Sequence, residues 1–96
     1  MAGPNRIKLT KRQMQLVAKA LADPRRVEIL EQIGSQNCIA CVDVRQRQKV
    51  SPATLSHHMK ELEMAGLIEV TREGKYARMT LRRDMLEAYR SYLGEI

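Results

Sequence analysis

Twice in this chain a capping side chain stands directly before a proline, at Asp23-Pro24 and at Ser51-Pro52. Proline lacks the N–H that a first helical residue leaves unpaired anyway, and its φ is already helical. An Asp or Ser just before it accepts a bond from one of the free amides that follow. Each pair therefore fixes a helix start almost to the residue. Glycines set the matching ends: Gly34 is expected to take the left-handed conformation that closes a helix, and the helix from Ser51 to stop at Gly66. A third start lies at Thr10, with Gln13 at the third helical position as in a capping box. Helices are thus predicted over 11–22, 24–33 and 52–65.

The apolar residues fall on one side of each segment. Met14, Val17, Ala18 and Leu21 share a face of the first helix. Val27, Leu30 and Ile33 serve the second, and Leu55, Met59 and Leu62, with His58 beside them, the one from Ser51. Between them, 35–38 reads as a polar turn and 39–48 as a weaker helix with Val42 and Val44 as its core candidates. After Gly66, residues 67–72 and 76–81 have strand character, joined by the tight turn Glu73-Gly74-Lys75. Asp84 is expected to open a final helix, with Met85, Tyr89, Tyr92 or Leu93, and Ile96 available for packing. Residues 1–9, with Gly3 and Pro4, read as a loose arm, and 10–96 as one domain. The fold class is mainly α with a small β-hairpin. Its order of helix, helix, helix, helix, hairpin, helix is the outline of a winged helix-turn-helix.

Ninety-six residues with three Tyr, no Phe and no Trp leave aliphatic side chains and six Met to fill the interior. A second copy would add core to so small a domain. Lys and Arg outnumber Asp and Glu by 17 to 11, a net charge of +6. Such an excess serves either a polyanionic partner or a solvated basic surface. No apolar run is long enough for a membrane span, and the N-terminus lacks the apolar stretch of a secretory signal. The expectation is a cytoplasmic protein with no membrane partner, whose thiols stay reduced.

Placement of the charge favours the polyanion. With Leu55, Met59 and Leu62 inward, the helix from Ser51 turns Ser51, Ala53, Thr54, Ser56, His57 and Lys60 outward. These side chains are small or polar near the helix N-terminus, so the rod can lie close in a major groove and meet base edges. No acidic residue occurs from 51 to 60, whereas a merely solvated face usually carries both signs. Arg72, Lys75 and Arg78 cluster around the hairpin, where a wing meets sugar-phosphate backbone, and Arg45, Arg47 and Lys49 just precede the reading helix. Such cations position a protein without specifying sequence. Double-stranded DNA is the expected partner. The alternative is a winged-helix protein-interaction module without sequence-specific DNA binding, and the basic wing argues against it.

Several stretches resemble the ArsR-type (arsenic-repressor-like) regulators. Residues 21–30, LADPRRVEIL, are similar to that family's L-A-D-P-x-R-x-x-I-L opening, and 51–62, SPATLSHHMKEL, to its recognition helix. Ala65-Gly66-Leu67-Ile68 and Arg72-Glu73-Gly74-Lys75 resemble its helix end and wing tip. The resemblance spans roughly residues 14–93. It implies a bacterial-type repressor, nucleoid-associated when bound to DNA. It further implies a homodimer built from the first and last helices on a pseudo-palindromic operator, released by an effector. The apolar residues that would meet are Met14, Val17 and Leu21 with Met85, Tyr89, Tyr92 and Ile96; their other role is intramolecular core.

Cys38 and Cys41 are the effector candidates. A pair at this spacing can bind a soft metal or metalloid, act as a redox or persulfide switch, or simply pack as small apolar side chains. The family's arsenic sensors place a Cys pair at the start of the same helix but as C-x-C, not the C-x-x-C found here. Two thiolates do not saturate zinc, and neither another Cys pair nor a His beyond position 58 follows, so no metal site is assigned. His57 and His58, about 100° apart on a helix, read as DNA-facing and packed respectively. A thiol-disulfide enzyme lacks its βαβ setting, and no nucleophile–base constellation occurs, so no enzyme activity is expected.

Overall fold

The capping signals set the helix starts in the computed structural model, which describes residues 8–36 and 39–96. Thr10 Oγ1 accepts the Gln13 N–H at 3.1 Å while Gln13 Oε1 accepts the Thr10 N–H at 2.9 Å, and α1 (Lys11–Leu21) follows. Asp23 Oδ1 accepts the Arg25 N–H at 2.8 Å to open α2 (Pro24–Gly34). That backbone hydrogen bond also holds the Asp23 carboxyl below its ordinary pKa. A short strand β1 (Ile39–Ala40) leads into α3 (Cys41–Gln48), and Ser51 then caps α4 (Pro52–Met64). The hairpin is β2 (Ile68–Glu73) and β3 (Tyr76–Leu81), and α5 (Arg83–Gly94) ends the chain. This is the winged helix-turn-helix order, with one strand more than the sequence announced. β1 pairs antiparallel with β3, Ile39 opposite Met79, so the sheet runs β1-β3-β2.

The core lies where the inner faces of α1, α2 and α4 meet the sheet. Val17, Ile29, Ile33, Val44, Leu62, Leu67 and Met79 are fully buried there. Two expected core positions shift by two residues. Ala20, not Ala18, is the buried alanine of α1, and Ile29 takes the place given to Val27, which is half-buried. Val42 is 45% exposed because the chain is still extended at 39–40; the helix begins at Cys41, and only Val44 faces in.

α3 is the most polar helix; besides the buried Val44, hydrogen bonds tether it. The Arg25 guanidinium donates to the Gln48 carbonyl at 2.8 Å. Gln32 links to both the Gln48 side chain (3.2 Å) and the Asp43 carbonyl (3.4 Å). Gly34 is not left-handed. Its helix ends at Ser35 in right-handed geometry, and Gly34 instead gives clearance: a Cβ there would lie 3.2 Å from Leu81 Cδ2. Asp84 is not the cap of α5 either. It sits at the second helical position, where it accepts the Met85 N–H at 2.9 Å and pairs with Arg82 at 2.7 Å. That pairing lowers the Asp84 pKa.

The helix stop expected at Gly66 is found, and the glycine is left-handed. At φ +77° it ends α4 in a Schellman arrangement: Leu67 N–H bonds to the Leu62 carbonyl at 3.0 Å and Gly66 N–H to that of Glu63 at 2.9 Å. The turn seats Leu67 against Leu62, and so ties the end of the helix to the root of the wing.

One backbone site is strained. Lys49, between α3 and α4, has φ +54° and ψ +45°, a left-handed conformation that L side chains avoid. Lys49→Gly should relieve this strain. We expect urea unfolding to show a gain of about 1 kcal/mol, or roughly 4–8 °C in melting temperature for a domain of this size.

Candidate nucleic-acid interface

α4 is thirteen residues long with its apolar stripe docked inward: Leu55, His58, Met59 and Leu62 are buried. The opposite side is open. Ser51, Ala53, Thr54, Ser56, His57 and Lys60 are all exposed, so the structure brings the six expected readers onto one surface. Their roles are not equal. Ser51 Oγ accepts the Thr54 N–H at 3.1 Å and donates to Thr54 Oγ1 at 2.9 Å. The Ser51 hydroxyl is thereby occupied as the helix cap. Thr54 Oγ1 is engaged by the same bond, and Ser56, His57 and Lys60 are exposed beyond it.

The cations around α4 separate by face. Successive residues of a strand point to opposite sides of a sheet. Ile68 and Met79 mark the inner side, and Val70 pairs with Met79, Thr71 with Arg78 and Arg72 with Ala77. Arg72 therefore lies on the side that faces α3 and α4, whereas Arg78 lies on the outer side. The expected cluster of three splits: Arg72 beside α4, Lys75 at the turn, Arg78 behind. The turn itself has two residues, Gly74 with φ +60° and Lys75, whose ammonium stands 5.6 Å from the centre of the Tyr76 ring. Arg47 and Lys49 are exposed and Arg45 is half-buried, at the end of α3 that precedes α4.

Between wing and helices lies a cleft of about 250 Å³, whose walls include Cys41, Arg45, Ser56, Met59 and Arg72. Cys41 is a half-buried free thiol at the first position of α3. Burial raises its pKa, and the Arg72 charge pulls the other way without overcoming it. Cys38 lies outside the described residues. Among the described residues no three His, Cys, Asp or Glu side chains gather to hold a metal.

The apolar residues expected on the outer face of α1 and α5 divide in the same manner. Val17 and Met85 are sealed in the protomer's own core and cannot meet a partner. Met14, Leu21 and Tyr89 are half-buried, while Tyr92, Leu93 and Ile96 are exposed. A groove of about 530 Å³, with Leu9, Met14 and Tyr92 among its walls, separates the two helices. No described helix is long and apolar enough to cross a membrane.

Sequence reasoning passed over Arg25 and Arg26. Two cations in the first turn of α2 oppose the helix dipole, and that signal was available. Both find acceptors outside their own helix: Arg25 on Gln48, Arg26 on the carbonyls of Ala20 (2.7 Å) and Lys19 (3.0 Å).

The architecture is that of a winged helix-turn-helix protein. A helix-turn-helix domain family model matches residues 21–71, which span α2 through most of β2. An arsenical resistance operon repressor of Staphylococcus xylosus is 32% identical over 76 residues, covering 79% of this chain and 72% of that protein. Among solved structures, an ArsR-like transcriptional regulator from Rhodococcus sp. RHA1 superposes with a TM-score of 0.77 at 25% identity, over 88% of this chain and 78% of that one. The homodimeric winged helix-turn-helix DNA-binding domain of a possible ArsR-family transcriptional regulator from Mycobacterium bovis gives 0.71 at 25% identity. It covers 97% of this chain and 87% of its own. The chain belongs to the ArsR-type family of helix-turn-helix transcriptional regulators.

The Ser51 cap gives a direct check on this surface. Ser51→Ala should cost about 1 kcal/mol of stability in urea unfolding. An unchanged midpoint would mean that the hydroxyl does not cap α4.

Proposed function

We propose that the protein is a dimeric transcriptional repressor that reads a pseudo-palindromic operator with the outer face of α4. The observation that carries this is an open face running from Ser51 to Lys60 without an acidic residue, flanked by Arg72 and Lys75 of the wing. Thr54, Ser56, His57 and Lys60 meet base edges, while Lys75, Arg72, Arg47 and Lys49 contact phosphates. Arg78 reaches backbone from the outer side of the wing. Two-fold symmetry of the protein demands two-fold related half-sites about one helical turn, roughly 34–36 Å, apart. The homodimeric state of the Mycobacterium bovis domain supports pairing, and the apolar side chains of α1 and α5 offer the surface for it. Met14, Leu21, Tyr89, Tyr92 and Ile96 are the side chains left available for it. The protein acts in the bacterial cytoplasm, on the nucleoid when bound.

Gel-shift and anisotropy titrations against the protein's own promoter region should give a specific, salt-sensitive complex. His57→Ala with Lys60→Ala should weaken it by at least about tenfold, since a good base contact is worth ~1–3 kcal/mol of discrimination. Lys75→Ala should weaken specific and nonspecific DNA alike and lower the salt slope by about one. A complex indifferent to the first pair would overturn α4 as the reading helix and leave a protein-interaction module.

Release by a thiol-reactive agent or soft metal ion, acting through Cys41 with Cys38, completes the reading. Deprotonation of Cys41 is disfavoured by its burial, so attack by electrophiles should quicken as pH rises. Operator release by arsenite, zinc, copper, peroxide or polysulfide is then compared between the wild type and Cys38→Ser/Cys41→Ser. An agent that acts equally on both does not work through these thiols.

A further inference from the structure

Behind the outward face of α4, His58 is only 7% exposed, and its Nδ1 lies 3.4 Å from the Arg26 guanidinium. Arg26, 8% exposed, spends its other N–H groups on the Ala20 and Lys19 carbonyls, where α1 ends, and stands 3.7 Å from the Asp23 carboxylate. One guanidinium thus joins the last turn of α1, the first turn of α2 and the back of the reading helix. Guanidinium has donors only. Its contact with His58 therefore requires Nδ1 to be an unprotonated acceptor, with the ring proton on Nε2. Protonation of His58 would set an N–H against an N–H and add a second positive charge inside the same buried contact.

We infer that Arg26 and His58 are positioning residues for DNA reading, forming a latch that seats α4 against the α1–α2 corner only while the His58 imidazole is neutral. This rests on the reading of α4 as the helix that meets DNA. The neighbour on the outward side is His57, the next residue along the same helix, so displacement of His58 moves a reader directly. From α2 the charged groups around the ring are Asp23, Arg25 and Arg26. From α4 it is His57; nearby, Lys19 of α1 and Glu61 of α4 pair with each other at 3.5 Å. Asp23 alone of those acting on the ring favours the imidazolium; burial, Arg26, His57 and Arg25 oppose it, and the His58 pKa lies below the ordinary 6.5. A histidine whose pKa is depressed by folding stabilises the folded form fully above the unfolded value. That contribution is lost as pH falls from about 6.5 through the lower folded value.

The test uses the full chain carrying His57→Gln, which leaves His58 as the last imidazole of the two. Operator affinity is measured from pH 8 to pH 5.5, with and without His58→Asn, whose side-chain oxygen can stand where Nδ1 does but does not titrate. With His58 present, affinity should fall on the acid side by up to about tenfold per pH unit, the limit for one proton. In the protein that also carries His58→Asn, this acid-side fall should vanish, whatever the affinity at pH 8. Equal falls in both proteins would overturn the latch. Nitrogen-15 NMR of the DNA-free His57→Gln protein judges the latch separately. It should find Nδ1 unprotonated at pH 8, and the Lys19 and Ala20 amides shifting as His58 titrates. A proton on Nδ1 at pH 8, or still amides, would overturn it even if DNA binds. Failure of the wild-type protein to bind the operator, with the NMR result as expected, would overturn the DNA reading and leave the latch standing.

Discussion

Everything on the DNA side of this molecule depends on how α4 is seated. Leu55, Met59 and Leu62 bury one stripe of the helix, and the rest of its surface is turned outward as a consequence. Each such side chain contributes about 1.5–3 kcal/mol by leaving water. That is enough to fix rotation about the helix axis but says little about sliding along it. The ends do that work. Ser51 pins the first turn, and the Leu67–Leu62 bond across Gly66 pins the last. A Cβ on Gly66 would also come within 3.2 Å of Met85 Cε, so the same glycine sets how closely α5 approaches the root of the wing.

The polar contacts complete what the apolar stripe leaves unspecified. Leucine packing tolerates small rotations, whereas Arg26 offers donors in a fixed planar fork. Two of its acceptors are main-chain carbonyls at the end of α1, which cannot move without unwinding that turn. The third, His58, belongs to α4. Lys19–Glu61 spans the same two helices near the surface but is mostly solvated on the lysine side, so it adds little. Orientation of α4 relative to α1 therefore rests chiefly on buried groups.

Much of this was legible in the chain, because caps, prolines and glycines act locally. Thr10–Gln13, Asp23-Pro24, Ser51-Pro52 and Gly66 gave starts and stops that tertiary packing left in place. Where the sequence reading slipped, the cause was non-local. β1 is two residues long and exists only because β3 lies alongside to pair with it. Gly34 is a glycine for the sake of Leu81, nearly fifty positions away, and not for its own φ. Val42 and Val44 cannot be told apart until the start of α3 is known, and that start is set by the strand before it. For the interface, exposure of the six outward residues of α4 followed directly from the apolar period. The division of Arg72 from Arg78 needed the hairpin register.

The same register explains why the wing is more than a basic appendage. Arg72, on the inner side, shares a cleft with Cys41, Ser56 and Met59, so it belongs to the wing, to α3 and to α4 at once. The Cys41 thiol feels the Arg72 charge, and the converse must hold. Any chemistry that makes Cys41 anionic would draw Arg72 towards the cleft. A chemistry that makes it bulky would press on Met59 and the underside of α4. In both cases a change at one half-buried sulfur acts on residues of the wing and of α4 that share its cleft.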